Sequence, residues 1–366
     1  MPELRQSHPY HLYDAIQAQP ALIETLITNI LAHKTSLDRA AEAIAKKNRI
    51  TFVGIGTSLH AALIAVHWMR HLTGGQVLAH AEQSFELVHH PIAFRANDAV
   101  IVITHTGTTT YSIEALRMAQ AAGALTLAIT GEASGEGARV ADFHIETCGQ
   151  EVAFAYTKSY TTALAALALL IARIAERRKL LARANAASEI NQIPHLMRET
   201  LKPEPAVREL ARRAAPLSRL TIFGSGASWH TAREAALKIK ESCYVTAEGF
   251  ETEEVLHGPF SEMDSRGAII ALLSGHPSDD RARQILAAAG EVKMPRAAIV
   301  TPAANHGVSA EHTLVVPETP EWLAAFIHLI PLQLLTYFLA LERKLNPDTG
   351  RQDQPAHAAA KKHYQY

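Results

Sequence analysis

Stretches of β-branched apolar residues alternate along this chain with stretches whose apolar residues recur at helical spacing. The run Ala99–Ile103 predicts a strand that is buried on both faces, and residues 112–122 follow it with an amphipathic helix pattern. A Gly-rich turn separates a strand starting at Arg49 from a helix over Ala61–Leu72. The remaining predicted elements are two helices within residues 11–47 and strands at residues 78–81, 125–130 and 143–147. This alternation indicates an α/β fold with a doubly wound parallel sheet.

The second half of the chain repeats the pattern of the first half. Gly54–Ala62 matches Gly224–Ala232, so that Ser58 corresponds to Ser228 at an offset of 170 residues. The same offset relates two further pairs of segments, residues 101–104 to 271–274 and residues 127–130 to 297–300. We therefore expect two copies of one α/β domain. A helical, charged stretch over residues 176–200 and a proline-containing break at residues 202–205 would join them.

Composition narrows the class of protein. The 366 residues are 48% hydrophobic and 19% charged, with a net charge of −1, which fits a globular protein and gives no reason to expect a nucleic acid partner. Cys148 and Cys243 are the only cysteines, and the first residues lack the features of a signal peptide. The longest apolar stretch, residues 162–173, is too short to cross a bilayer. A cytoplasmic protein without membrane contact is expected.

The two copies differ in the turn that follows the buried strand. In the first copy, residues 104–109 read Thr-His-Thr-Gly-Thr-Thr and lead into a helix, so that hydroxyls and free N–H groups suit a phosphate-like anion. A Thr-rich loop that merely caps the helix is the alternative. In the second copy, Pro277 lacks an N–H and Asp279 would repel an anion. The second copy instead carries Lys238, Glu241 and His257, so we expect binding in one copy and chemistry in the other.

Six motifs in this order resemble the double sugar-isomerase (SIS) domain family over nearly the whole chain. They are Gly56-Thr57-Ser58 and the segments 104–109, 156–161, 236–241, 256–259 and 353–355. The resemblance implies two tandem SIS domains, each with a flavodoxin-like doubly wound sheet. N-terminal helices would occupy residues 1–48, the two domains residues 49–195 and 196–345, and a tail closing on the site residues 346–366.

The resemblance also implies roles for individual residues. Glu241 would move a proton between C1 and C2 of a sugar, and His257 would open the sugar ring. The family's tail lysine is replaced by Ala360, so Lys361 is the nearest candidate for a Schiff base. The substrate would be held by Thr57, Ser58, Thr104, His105, Thr106, Thr109, Tyr156 and Lys158.

Two features leave alternatives open. The family usually has Ser-Gln-Ser-Gly-Glu-Thr where this chain has residues 104–109, so the anion could be a phosphate or a sulfonate. Lys238 and Glu241 are three residues apart and could simply form a surface ion pair. Against that reading, a carboxylate on the inner face of a helix at a domain boundary suits proton abstraction beside a carbonyl.

Three functions fit these residues. The first is an aldose-ketose isomerase or deaminase that acts on a 6-phosphorylated sugar or aminosugar. The second is a deglycase that releases an amine from a fructosamine 6-phosphate, and the third is a sugar-phosphate sensor without turnover. The sequence lacks an N-terminal catalytic cysteine, so glutamine hydrolysis is not expected. No cofactor is expected, and the pairs His67/His71 and His89/His90 lack the further ligands of a metal site.

The segment Gly249–His257 predicts a partner. In the SIS family the ring-opening histidine comes from a neighbouring subunit, which would make the active unit a homodimer with a shared active site. Phe250, Val255 and Leu256 would be exposed on a free loop, so we expect a partner subunit to cover them. Packing of these side chains onto their own domain is the alternative.

Overall fold

A computed structural model describes residues 3–32 and 36–364 of the chain. These residues divide into two compact units. We call residues 18–32, 36–151 and 158–194 the first domain, and residues 3–17, 152–157 and 195–364 the second domain. The main division, between Pro194 and His195, lies beside the predicted boundary after residue 195.

The first domain is built on a parallel five-stranded sheet of order β2-β1-β3-β4-β5. Its central strands carry the β-branched apolar runs, and every residue of β3 is buried. The strands are β1 (Arg49–Gly54), β2 (Leu78–Gln83), β3 (Asp98–Ile103), β4 (Leu125–Thr130) and β5 (Phe143–Glu146). The helices are α1 (His11–Ala32), α2 (Ser36–Ile44), α3 (Thr57–Leu72), α4 (Ser84–His89), α5 (Thr110–Ala121), α6 (Glu136–Val140), α7 (Lys158–Arg177) and α8 (Ala186–Leu201). Helices α1 and α8 each have residues in both domains.

The second domain repeats this sheet, with the order β7-β6-β8-β9-β10 and parallel pairing throughout. Its strands are β6 (Arg219–Gly224), β7 (Thr246–Glu251), β8 (Gly267–Leu273), β9 (Arg296–Val300) and β10 (His312–Val315). Its helices are α9 (Glu204–Ala214), α10 (Ala227–Cys243), α11 (Asp279–Glu291), α12 (Ala324–Glu342) and α13 (Pro355–Ala360). The predicted fold class, two tandem doubly wound α/β domains, is therefore confirmed.

Of the predicted N-terminal helical region, residues 3–17 group with the second domain, whereas residues 18–32 and 36–48 group with the first. The Asp348 carboxylate accepts the backbone N–H groups of His11, at 2.7 Å, and Leu12, at 3.0 Å, which satisfies donors at the start of α1. The Asn346 side chain donates to the backbone carbonyl of Arg5 at 2.9 Å. Residues near both ends of the chain are thus joined by hydrogen bonds.

In the part of the chain that the structure describes, two helices are long and apolar enough to cross a membrane, Lys158–Arg177 and Glu321–Glu342. Each is almost entirely buried inside the structure, as the central helices of α/β domains are. Helix α7 packs against α3 in the first domain, and α12 packs against α9 and α10 in the second. Residues 162–173 lie within α7, as the buried helix predicted from the sequence.

Candidate functional site

The turn between β3 and α5 presents hydroxyl groups at the start of a helix. Thr104 donates its hydroxyl to that of Thr109 at 3.2 Å, and Thr108 donates to Thr106 at 2.9 Å. Gly107 has φ of +66°, and a Cβ there would lie 3.0 Å from the Cα of Gly135, so the turn requires glycine. The Thr109 side chain makes no capping hydrogen bond to α5. The turn can therefore offer hydroxyl and helix N-terminal N–H groups to an anion.

A second turn, between β1 and α3, reaches the same edge of the sheet. Strands β1 and β3 are hydrogen-bonded in parallel, so their carboxyl ends are neighbours. Gly56 ends the turn with φ of +56°, and the partly buried Thr57 and Ser58 begin α3. The structure thus brings Thr57 and Ser58 to the edge that carries Thr104–Thr109, where open α/β sheets bind ligands.

His105 is engaged within the first domain. Its Nε2 accepts the backbone N–H of Glu151 at 2.9 Å, and its ring lies against Gly131, where a Cβ would approach within 2.4 Å. Burial lowers the pKa of His105, so the ring is neutral at pH 7. The Glu151 carboxylate in turn accepts the N–H groups of Lys158 and Ser159 at the start of α7. This geometry gives His105 a supporting role, and its predicted contact with the anion stays a prediction.

Lys158 and Tyr156 flank the boundary between the two domains in the sequence. Lys158 is the first residue of α7 and is half-buried in the first domain. Tyr156, also half-buried, belongs to the segment 152–157 of the second domain. Their predicted contacts with substrate stay predictions.

The corresponding turn of the second domain is filled by its own side chains. Asp279, at the position of Thr109, accepts the N–H of Gly275 at 2.8 Å and also that of Ser274. Burial raises the pKa of this carboxyl group. The sequence predicted that Asp279 would repel an anion, and the structure shows that its carboxylate occupies the turn.

Ser228, the counterpart of Ser58, is also engaged. Its hydroxyl lies 3.0 Å from Nδ1 of His328, whose Nε2 lies 3.2 Å from the carbonyl oxygen of Leu273. Because that carbonyl only accepts, Nε2 carries the proton and Nδ1 accepts from Ser228. Burial lowers the pKa of His328 to about 4, so the ring is neutral at pH 7. No sequence pattern indicated this pair, which joins residues 100 positions apart.

On helix α10, the charged side chains of Glu234, Lys238 and Glu241 lie next to one another. The ammonium group of Lys238 lies 2.7 Å from Oε2 of Glu241 and 3.5 Å from Oε1 of Glu234. Glu234 is 0% exposed and Lys238 2%, whereas the Glu241 side chain is 27% exposed. The ion pair considered from the sequence therefore forms, but with Lys238 buried rather than at the surface. Glu234 was not predicted, although its spacing of four residues from Lys238 on a predicted helix could have indicated it.

The first domain has apolar residues where α10 has its two buried charges, Glu234 and Lys238. Ile64 and Trp68 of α3 occupy the positions equivalent to Glu234 and Lys238, and both are fully buried. Burying charged groups costs several kcal/mol per ion before their mutual attraction compensates. A fold that accommodates apolar residues at these positions therefore does not need the charges for stability, which points to a role in chemistry.

Glu241 lies on the wall of a cavity of about 480 Å³ in the second domain. The cavity is bounded by the end of α10, the beginning of β7 and residues of the C-terminal segment. Two aromatic side chains, Phe154 and Tyr244, and the guanidinium group of Arg351 share this wall. A volume of this size matches small-molecule sites.

His257 lies in an exposed segment between two short 3₁₀ helices, Glu254–Leu256 and Pro259–Glu262. Its Nε2 lies 3.3 Å from Oε1 of Glu253, which also binds Arg281. The hydrogen bond from Arg281 lowers the pKa of Glu253 to about 2. His257 therefore stands at the surface beside an ionised carboxylate.

The apolar residues near His257 do not need a partner subunit. Val255 is fully buried in the core of the second domain, and Phe250 and Leu256 pack against the same core. The sequence argument for a partner was wrong at this point, because these side chains turn inward from the segment. The dimer prediction then depends on the family resemblance alone.

Lys361 lies in the 3₁₀ helix Lys361–His363, with its ammonium group 4.7 Å from the centre of the Tyr364 ring. It belongs to the same domain as Glu241 and His257. Its role as a Schiff-base lysine stays a prediction. Within residues 3–32 and 36–364, no three His, Cys, Asp or Glu side chains are grouped as ligands for a metal ion.

Comparison with known proteins identifies the repeated unit. The sequence model of the SIS domain matches residues 43–173 and 215–343. The chain is 30% identical over 356 residues to the glutamine-fructose-6-phosphate aminotransferase (isomerizing) of Thermococcus kodakarensis. That alignment covers 95% of this chain and 58% of the relative, so the chain spans less than two thirds of the relative's length.

Solved structures share the architecture. The C-terminal domain of glucosamine-fructose-6-phosphate aminotransferase from Francisella tularensis matches with a TM-score of 0.87 at 24% identity, covering 94% of this chain and 99% of that one. The tagatose-6-phosphate ketose/aldose isomerase of Escherichia coli matches with a TM-score of 0.79 at 22% identity, covering 96% and 97%. At these identities the similarity establishes the fold.

Proposed function

The chain belongs to the SIS domain family, and from this membership we propose that it is an aldose-ketose isomerase or deaminase of 6-phosphorylated sugars or aminosugars. The observation that carries the proposal is the group of ion-paired side chains that Glu234, Lys238 and Glu241 form on α10. Glu234 and Lys238 replace apolar residues of the first domain, and Glu241 lies on a cavity wall. A carboxylate held by an ammonium group and open to a cavity is suited to act as a general base.

In the proposed reaction the first domain binds the C6 anion through Ser58, Thr104, Thr106 and Thr109. His257 assists ring opening by moving a proton between the ring oxygen and the anomeric hydroxyl. Glu241 then removes a proton from one of the two carbons C1 and C2 and returns it to the other, which interconverts aldose and ketose. With an aminosugar phosphate, the transfer from C2 to C1 leaves an imine at C2, and water then releases ammonia.

A deglycase is the second candidate, because the cavity beside Glu241 is larger than ammonia or a hydroxyl group requires. Its volume of about 480 Å³ would hold an amine substituent. In a fructosamine 6-phosphate the same base would move a proton from C1 to C2, giving an imine at C1. Water would then add to C1 and release the amine together with glucose 6-phosphate.

A substrate screen tests the proposal and separates it from a sensor. Purified protein is incubated with glucosamine 6-phosphate, fructose 6-phosphate, fructosamine 6-phosphates and 6-sulfo sugars. We expect turnover of at least one 6-phosphate. Glu241→Gln should lower kcat by about 10²–10⁴ while affinity changes only a few-fold, because the base acts in the transition state. The exposed Glu291→Gln on α11 is the control. Binding without any turnover would favour the sensor.

We also propose that the protein is a cytoplasmic homodimer in which Glu241 and His257 of one site come from different chains. Glu241→Gln and His257→Ala proteins, each inactive, would be mixed under conditions of subunit exchange. Half of the sites in a mixed dimer would then combine wild-type Glu241 with wild-type His257, and activity should return. Verified mixed dimers without activity would contradict the shared site.

A further inference from the structure

The cavity beside Glu241 contains a cation that the proposed reaction does not use. The Arg351 guanidinium lies over the ring of Tyr244, with 4.9 Å between Cζ and the ring centre. Arg351 donates from Nε to Oε1 of Gln354 at 3.0 Å. Among the residues that the structure describes, its two terminal nitrogens have no hydrogen-bond or carboxylate partner. One edge of the guanidinium is therefore fixed, and the terminal nitrogens remain for a ligand.

The backbone around Arg351 is shaped to hold the side chain in this place. Arg351 and Gly350 both have positive φ, at 65° and 55°, which is unfavourable for an arginine. A Cβ at Gly350 would come within 2.2 Å of the Phe154 ring, so glycine is required where the segment passes this aromatic wall. The Thr349 hydroxyl accepts the Arg351 N–H at 3.3 Å and lies 3.1 Å from the Tyr244 hydroxyl.

The remaining charges on the cavity wall limit what Arg351 can bind. Lys240 and His357 add positive or titratable groups, whereas Glu241 and Glu248 add two carboxylates. The two carboxylates balance the charges of Lys240 and Arg351, and a wall without excess positive charge is better matched to a singly charged carboxylate than to a doubly charged phosphate. A guanidinium also binds a carboxylate through two parallel hydrogen bonds.

We propose that Arg351 binds a carboxylate on the substituent of the substrate's nitrogen. The substrate class is then a ketoamine formed from a sugar 6-phosphate and an amino acid. This inference deepens the proposed function in its deglycase form, on which it rests. Glu241 reaches the sugar carbons, and Arg351, on the same cavity wall, selects the amine that leaves.

Binding to the Glu241→Gln protein measures this selection without turnover. The ligands are fructose 6-phosphate and its ketoamines with glycine, β-alanine and 4-aminobutyrate, each compared with the matching amide by calorimetry. At one chain length we expect the acid to bind about 10- to 100-fold more tightly than the amide, because a charge-assisted pair is lost in the amide. Adding Arg351→Gln should remove the preference, by weakening the binding of the acids far more than that of the amides.

Two further variants exclude a merely structural effect. Arg351→Lys should keep part of the preference, since the charge remains but the paired geometry is lost. Arg266→Gln, which removes an exposed arginine paired with Asp264 elsewhere in the second domain, should change nothing. Equal affinity for acids and amides at every length, or a preference that survives Arg351→Gln, would overturn the inference. Absence of fructose 6-phosphate binding would instead count against the proposed function itself.

Discussion

The two strand-to-helix turns of this chain are copies of one structure with opposite contents. In the first domain, Thr109 is the N-cap residue of α5, and its hydroxyl accepts a hydrogen bond from that of Thr104. In the second domain, the equivalent Asp279 places a carboxylate on the N–H of Gly275. Among the differences between the two turns, the replacement of Thr109 by Asp279 thus puts a carboxylate where the first turn can receive an anion.

The helices that follow the two Gly-rich turns, α3 and α10, also differ, because only the one in the second domain buries charged side chains at these positions. Helix α3 packs Ile64 and Trp68 into an apolar core, whereas α10 buries Glu234 and Lys238 at the same positions. The first domain therefore has an open turn and an inert helix, and the second has a filled turn and a charged helix. This difference fits our proposal that the duplicated fold divides binding and chemistry between its copies.

The largest effect is expected when the charged helix is disrupted. Lys238→Met leaves the Glu234 carboxylate buried without its cation, which should lower the free energy of unfolding by about 3–5 kcal/mol. Urea denaturation measures the loss. The matched control is Lys202→Met, which breaks an exposed pair with Glu199 on a surface helix and should cost less than about 1 kcal/mol.

The double variant Glu234→Leu/Lys238→Met gives α10 the apolar character of α3. Stability should recover most of the loss of the single variant, because apolar residues can replace a buried ion pair. Turnover should not recover, since Glu241 loses the ammonium group that holds it. A double variant with wild-type activity would mean that the buried charges serve no chemical purpose.

The second prediction concerns His328, which contacts Ser228 and Leu273 in the second domain, and its effect on how stability depends on pH. The pKa of His328 is about 4 in the folded protein against an ordinary 6.5, so the unfolded chain binds a proton first as pH falls. Stability should therefore decrease between pH 6.5 and pH 4, by about 3 kcal/mol in total from this residue. Denaturation across this range should be less pH-dependent in His328→Gln. Parallel curves for the two proteins would contradict the assignment.

The third prediction compares the turns directly. Replacing Thr106 or Thr109 by Val should raise KM for a sugar phosphate, since each lost charge-assisted hydrogen bond is worth about 1.5–3 kcal/mol. His276→Ala, the equivalent of the Thr106 change in the second domain, should leave KM unaltered. If the two threonine variants bind as tightly as the wild type, the anion site lies elsewhere.

The smallest effect is expected from Asp279→Asn, which keeps an acceptor for the Gly275 N–H but removes the charge. Because burial raises the pKa of Asp279, ionisation costs the folded protein stability as pH rises through that pKa. The stability of the variant relative to wild type should therefore increase from pH 4 to pH 7. A relative stability that stays constant or falls would mean that the carboxylate is well compensated.

Much of the fold could be predicted because it rests on local pattern and on repetition. β-Branched runs such as Ala99–Ile103 form strands wherever both faces are covered, and the shared offset of Ser58 and Ser228 revealed the second copy. The grouping of residues 3–17 with the second domain could not be predicted. It depends on contacts such as that of Asp348 with His11, more than 300 residues away.

For the candidate site, sequence patterns could propose residues but not the contacts of those residues. Glu241 and the threonines of residues 104–109 carry their chemistry in the side chain, so motifs identified them. The burial of Val255 and the pairing of Ser228 with His328 depend on tertiary packing. The position of Arg351 likewise depends on a positive φ and on the ring of Tyr244, neither of which a sequence pattern records.

The position of the Asp279 carboxylate in the second turn affects the number of anions that one chain can bind. A carboxylate attached to the turn that it fills competes at an effective concentration of millimolar or more, whatever the supply of free anions. A free phosphate would have to displace this tethered carboxylate and would be repelled by its charge. The occupancy of the second turn should therefore not depend on the concentration of free anionic metabolites. A titration with sugar phosphate should therefore saturate at one anion for each chain, although the chain contains two copies of the turn.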